Sequence, residues 1–131
     1  MLAFLKRIFQ YEPRPVKVHE IEARLTATDG SRLNGELEFE VYDDGNWELE
    51  IDIEHMGTRP DGPLDIRING RSILTLPVSE RGNDTEKKLK SRFGDTLAIT
   101  PTPGMDVEIR NAMGILLHGT FGIDRRAARV R

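Results

Sequence analysis

The sequence predicts an all-β domain: a single antiparallel β-sandwich or flattened barrel of about eight strands built from hairpins. Two observations carry that expectation. From Val16 onward apolar and polar residues alternate in short runs, and the runs are separated by Gly, Pro, Asn and Asp. Over the same stretch helical periodicity is almost absent. The chain therefore divides into a short amphipathic N-terminal arm (1–15), a β-sandwich domain (16–124) and a basic C-terminal tail (125–131) with four arginines.

In the arm, Leu2, Leu5, Ile8 and Phe9 make an apolar stripe if the segment is helical, with Phe4 at its edge and Lys6 and Arg7 off it. Ten residues do not hold a helix unaided, so the stripe is expected to dock on something. The options are the domain itself, a second copy in a homo-oligomer, another protein, or an anionic membrane surface suited to Lys6, Arg7, Arg14 and Lys17. As a strand, the same segment would place Leu2, Phe4 and Lys6 on one face. Leu2, Leu5 and Phe9 are thus candidate partner-binding residues.

The first strand carries Ile21, Ala23, Leu25 and Ala27 on one face, and Asp29-Gly30-Ser31 turns it into Leu33, Gly35, Leu37, Phe39 and Val41. The next turn fixes a register. A two-residue loop at Asp44-Gly45 would set Phe39 opposite Glu50 and mix core with solvent faces, which a half-buried sheet resists. A three-residue loop, Asp43-Asp44-Gly45 with Gly45 left-handed, instead sets Val41 opposite Trp47, Phe39 opposite Leu49 and Leu37 opposite Ile51. The other face then becomes an acid ladder: Glu40 opposite Glu48, Glu38 opposite Glu50, Glu36 opposite Asp52, with Glu54 beyond.

Leu64 to Ile68, Asn69-Gly70 and Ile73 to Val78 read as a further hairpin, whose apolar positions fit a two- or a three-residue loop equally well. Thr85 to Arg92 reads either as a two-turn helix stopped at Gly94 or as a strand with Lys87, Leu89, Ser91 and Phe93 on one face. The β flanks favour the strand. Leu97 to Thr100, the turn Pro101-Thr102-Pro103-Gly104, Met105 to Arg110 and Ile115 to Ile123 complete the series.

Charge is segregated along the chain. The net formal charge is −3, yet residues 20 to 66 carry fourteen acids and three bases, and residues 67 to 131 carry seven acids and twelve bases. That balance excludes a surface built throughout for nucleic acid. Like charges directly opposite one another destabilise a sheet, by roughly 0.2–1 kcal/mol a pair, so the acid ladder needs an offset. Three are open: the protein's own bases, a basic partner docked on Glu38, Glu40, Glu48 and Glu50, or a divalent cation such as Ca²⁺ held by Glu36, Glu38, Glu50 and Asp52. For the first, Arg24 faces Glu36, and Lys88, Lys90 and Arg92 form a basic row able to lie beside the acids.

The chain has no cysteine, which removes disulfides, thiol catalysis and cysteine metal sites. No apolar run reaches the roughly 18 residues of a membrane span. The charges inside the first apolar stretch, followed by Tyr11-Glu12-Pro13, do not suit an export signal, and a cytoplasmic location is expected. His19, His55 and His118 have no metal-ligand spacing, no serine sits in a nucleophile elbow, and alternating surface Glu is not a catalytic dyad. The reading is a non-catalytic binding or scaffold module without cofactor; the alternative is a Ca²⁺-dependent adhesion-type domain.

Two stretches echo each other: Ile21-Glu22-Ala23-Arg24 followed by Leu33-Asn34-Gly35-Glu36-Leu37-Glu38-Phe39, and Val107-Glu108-Ile109-Arg110 followed by Leu117-His118-Gly119-Thr120-Phe121. Duplication and convergence of similar hairpins both account for the echo. Gly35 and Gly119 face inward by parity and are expected to mark a bend or a close approach of two sheets. Val107 to Phe121, with Leu64 to Gly70 and Gly35 to Met56, resembles small bacterial all-β domains of unknown function that accompany CHRD (chordin-type) domains. The resemblance spans roughly residues 20 to 122. It implies a β-sandwich with no established activity and extended chain over Thr85 to Thr100. CHRD domains carry a His-x-His-like element after their first hairpin, where this chain has only His55.

Overall fold

The computed structural model describes residues 14–56, 62–77 and 83–124. Leu2, Leu5 and Phe9 of the arm and the arginine tail lie outside the described residues. Eight antiparallel strands form one continuous curled sheet: β1 (Lys17–Ala27), β2 (Asn34–Tyr42), β3 (Trp47–Glu54), β4 (Leu64–Ile68), β5 (Arg71–Leu76), β6 (Thr85–Lys90), β7 (Asp106–Asn111) and β8 (Gly114–Thr120). The spatial order is β5-β4-β7-β8-β1-β2-β3-β6. No described helix is long and apolar enough to cross a membrane.

Period-two alternation fills the concave side. Ile21, Ala23, Leu25, Leu37, Phe39, Leu49, Ile51 and Ile53 from one half of the sheet join Leu64, Ile66, Ile68, Val107, Ile109 and Leu117 from the other in one buried cluster. The curl thus gives a single sheet the interior of a flattened barrel.

The β2–β3 register is the one that parity demands, from Val41↔Trp47 to Asn34↔Glu54. Gly45 has φ of 86°, and its N–H donates to the Tyr42 carbonyl at 3.0 Å, closing the three-residue loop. The β4–β5 hairpin combines both loop lengths. Ile68 faces Arg71 across a two-residue turn whose Asn69 and Gly70 both have positive φ, and a bulge between Ile66 and Arg67 then brings Ile66 opposite Leu74 and Leu64 opposite Leu76. The β7–β8 hairpin repeats the device: Asn111 faces Gly114, and a bulge at Ile109/Arg110 sets Ile109 opposite Leu117. Each bulge reconciles a tight turn with apolar pairing.

Extended chain over Thr85 to Thr100 is corrected. β6 ends at Lys90, Ser91–Phe93 forms a single 3₁₀ turn, and Asp95 to Thr100 has no regular structure. The cause is local. The Ser91 hydroxyl accepts the Trp47 N–H at 2.9 Å where a strand carbonyl would, and Gly94 closes the turn with φ of 87°. Phe93 consequently leaves the face of Leu89 and is exposed, with Lys90 Nζ 5.2 Å from its ring centroid. Leu97 and Ile99 still pack against the core, so the apolar spacing that suggested a strand reflects a loop seated on the sheet.

The two halves meet where β8 crosses β1, with Thr26 opposite His118, Ala27 opposite Leu117, and a bridge from Ala23 to Phe121. Gly119 lies at this seam: a Cβ there would sit 2.2 Å from the Arg24 carbonyl oxygen and 2.6 Å from Leu25 Cδ2. At Gly35 the corresponding closest distance is 3.1 Å, to the Asp52 carbonyl. The close approach expected from both glycines is therefore sharpest at Gly119.

Candidate functional site: an acidic sheet face

The convex side of β1, β2, β3 and β6 is a lattice of charge. Register places Glu20, Glu40, Glu48 and Lys90 in one row across the strands, Glu22, Glu38, Glu50 and Lys88 in the next, and Arg24, Glu36, Asp52 and Glu86 in the third. All of the acids singled out from sequence share this face, and the basic row on β6 lies beside them. Sequence reading missed that Glu20 and Glu22 extend the ladder by a whole strand. Their alternation with Ile21 and Ala23 carried the signal, but only the β1–β2 register gives them partners.

The lattice is unevenly offset. At the Glu40/Glu48 end, Lys17 Nζ lies 3.0 Å from Glu40 and 3.9 Å from Glu20. Lys90 Nζ lies 3.5 Å and Arg92 Nη2 3.1 Å from Glu48 Oε1. The Tyr42 hydroxyl donates to Glu40 Oε2 at 2.8 Å and stands 3.4 Å from Glu48. Burial and these two carboxylates push the Tyr42 phenol up. Glu40 is held below the usual carboxylate range: burial works against that, and hydrogen bonds within the cluster together with Lys17 outweigh it.

The opposite corner differs. Asp52 stands between Glu36 and Glu86, so its cross-strand neighbours are both acids. The bases nearby lean along their own strands rather than across. Arg24 faces Glu36 in register, but its Nε donates to Glu22 Oε1 at 2.8 Å; Lys88 faces Glu50, but its Nζ lies 3.4 Å from Glu86. Glu36 is pushed above the usual range by burial and then by Glu22. Glu50 is raised by burial and Glu86, and Asp52 by burial, Glu86 and Glu54. A cleft of about 430 Å³ opens here, lined by Arg24, Asn34, Glu36, Asp52 and Glu54, and one of similar size, about 440 Å³, lies at the other end beside Tyr42, Glu48 and Arg92.

Among the described residues, three sets of carboxylates bring oxygens within 4.8 Å of one another: Glu20/Glu38/Glu40, Glu22/Glu36/Glu38 and Glu50/Asp52/Glu86. None includes a histidine. Two of the metal candidates, Glu50 and Asp52, are thereby joined by Glu86, which sequence did not single out, whereas Glu36 and Glu38 belong to the second set. His55, with φ of 63°, donates its backbone N–H to Asp84 Oδ1 at 3.1 Å, a turn role. His19 Nδ1 lies 2.5 Å from Asp124 Oδ2, and the other oxygen of Asp124 accepts the Glu20 N–H at 3.2 Å. This contact ties the end of the described chain to β1.

The raised groups set a pH dependence. A carboxyl whose folded pKa exceeds its unfolded value makes the folded state bind more protons, so stability rises as pH falls through that folded pKa. Glu36, Glu50 and Asp52 act in this sense between neutrality and the ordinary carboxylate range. Glu40, Asp44 and Asp65, held low, act oppositely: their contribution is present above the ordinary range and is lost on further acidification. Thermal melts from pH 7.5 downward should therefore show Tm rising first and falling below the ordinary carboxylate range. A Tm that only falls would contradict this balance.

Together these features define a small all-β domain with one strongly acidic sheet face. Comparison with protein-family models, with curated proteins and with solved structures finds no match, and nothing links the chain to CHRD-type domains.

Proposed function

We propose that the domain is a non-catalytic binding module whose acidic face receives a basic partner, a protein segment rich in lysine or arginine. The observation that carries the reading is the corner formed by Glu36, Asp52 and Glu86. Carboxylates stand opposite one another there, Glu36 and Asp52 are raised by burial and by neighbouring acids, and a cleft opens beside them. A cation entering that corner relieves repulsion already present in the unliganded protein. The Glu40/Glu48 end, where Lys17, Lys90 and Arg92 already lie, offers no such gain.

Calorimetric titration with an oligolysine peptide at low salt tests the reading. Wild type is expected to bind with an affinity that falls steeply with salt, and Glu36→Gln/Asp52→Asn to bind about tenfold more weakly, two ion pairs of about 0.7 kcal/mol each. Glu40→Gln/Glu48→Gln should stay within about threefold. Equal loss in both double variants would reduce the effect to net charge and remove the site.

A second reading rests on the Glu50/Asp52/Glu86 oxygens: the hard cation Ca²⁺ takes such ligands, although a flat ladder converges less than a loop. Ca²⁺ titration of wild type and Glu50→Gln separates the two. Heat in wild type that disappears in the variant supports the cation; no heat and an unchanged Tm eliminate it.

A further inference from the structure

The sheet ends at β6, and among the described residues no strand pairs with its outer edge. The hydrogen-bond alternation fixes which groups face outward. Tyr42 N–H donates to Asn46 O at 2.8 Å, so the pairs Glu40/Glu48, Glu38/Glu50 and Glu36/Asp52 exchange backbone bonds, and Leu49, Ile51 and Ile53 turn theirs toward β6. Thr85, Lys87 and Leu89 of β6 answer them. Glu86, Lys88 and Lys90 therefore present N–H and C=O away from the sheet. At Lys90 that side is capped: its N–H donates to Asp95 Oδ2 at 2.8 Å and its carbonyl accepts the Asp95 N–H at 3.3 Å. The open backbone is that of Glu86 and Lys88.

We propose that β6 pairs antiparallel with β6 of a second copy of this chain about a two-fold axis at Lys87, extending the sheet through the pair. Only one arrangement keeps Glu86 and Lys88 in backbone-bonded pairs without running into the Asp95 cap and also opposes unlike charges: Glu86 faces Lys88 of the partner subunit, and Lys88 faces Glu86 of the partner subunit. Centring on Lys88 would place Glu86 against the capped Lys90 and oppose two lysines. Centring on Glu86 would oppose two glutamates. The chosen register also supplies a base beside Glu86, which within one chain faces Asp52 across the strands. It opposes Lys87 to its own copy at the axis, on the other face, where the side chain is half-buried; this one like-charge pair is outweighed by two unlike pairs and four backbone bonds. Because a two-fold axis normal to the sheet keeps both convex sides on the same side, the acid faces of the two copies become continuous. The dimer follows from the open edge of β6 and its charges rather than from the proposed binding, although Glu86 belongs to both the edge and the acidic corner.

Sedimentation velocity over a concentration series reads the result. Wild type is expected to show reversible monomer–dimer exchange. Glu86→Lys and Lys88→Glu should each weaken dimerisation at least tenfold, and an equimolar mixture of the two should restore it, since both pairs between positions 86 and 88 are again unlike in the mixed dimer. Glu86→Lys converts the Asp52–Glu86 repulsion into attraction, so its fold is secure and a loss of dimer in it cannot be a loss of fold. Lys88→Pro removes an outward N–H while leaving the β3 ladder intact, and should abolish the dimer with the far-ultraviolet dichroism retained. A wild type monomeric at every concentration overturns the proposal and makes the β6 lysines a guard on an exposed edge. A mixture no more dimeric than either variant, or a dimer that survives Lys88→Pro, overturns it equally.

Discussion

Gly119→Ala is expected to destabilise the domain by about 3 kcal/mol or more, at or beyond the upper end of ordinary overpacking. The sign is the opposite of the rule for strands, in which replacing Gly by Ala gains about 0.5–1 kcal/mol from backbone entropy. The reason is that the added carbon meets backbone. It would stand 2.2 Å from the Arg24 carbonyl oxygen, which is fixed by its strand and cannot rotate away as a side chain could. Accommodation requires β8 to lift from β1, and β1–β8 is the junction between the two halves of the core. Gly35→Ala is the control. Its closest neighbours would be the Asp52 carbonyl at 3.1 Å and the movable Leu117 Cδ1 at 3.3 Å, so a smaller loss of about 1 kcal/mol is expected. Urea denaturation of both variants checks the order; equal losses would mean that the seam is no tighter than the β2 position.

Leu49→Ala and Glu50→Gln, adjacent in sequence, are expected to move stability in opposite directions. Leu49 is fully buried between Phe39 on β2 and Leu89 on β6, and truncating it leaves a cavity at the centre of three strands, at a cost of about 2–5 kcal/mol. Glu50 points to the other face, opposite Glu38, and is raised by burial, Glu86 and Asp52. Gln removes a repelled charge and keeps the shape, a gain of less than about 1 kcal/mol after solvent screening. Thermal melts at pH 7.5 test the pair. If Glu50→Gln melts lower than wild type, Lys88 holds that carboxylate more strongly than its acidic neighbours repel it.

The all-β class, the β2–β3 register, the acid ladder and the basic strand beside it were legible because each follows from period-two alternation combined with one turn. Asp43-Asp44-Gly45 set a loop length, and parity did the rest. Strand order was not legible. Nothing in Leu64 to Ile68 indicates that it pairs with β7, because distant partners leave no local mark in a single sequence. Fine electrostatics were hidden for another reason. Register places Arg24 opposite Glu36, but a flexible guanidinium chooses among acids within reach and settles on Glu22 along its own strand. Tyr42 and Asp95 escaped notice because their roles depend on hydroxyl and carboxylate positions at strand ends. The end of β6 was misjudged because Ser91 and Phe93 continue an alternation that the 3₁₀ turn interrupts.

The seam between β1 and β8 has a consequence in time as well as in space. The β1–β2, β2–β3, β4–β5 and β7–β8 pairings are hairpins, each closing over a few residues, and β3–β6 and β4–β7 close loops of intermediate length. Joining Thr26 to His118 brings together segments about 90 residues apart in the chain, and it carries the largest loop-closure entropy in the fold. Local hairpins form before such a contact is rewarded. Two half-sheets are thus expected to take shape separately, each with an open apolar face, and the glycine at the crossing sits where the longest-range pairing brings them together.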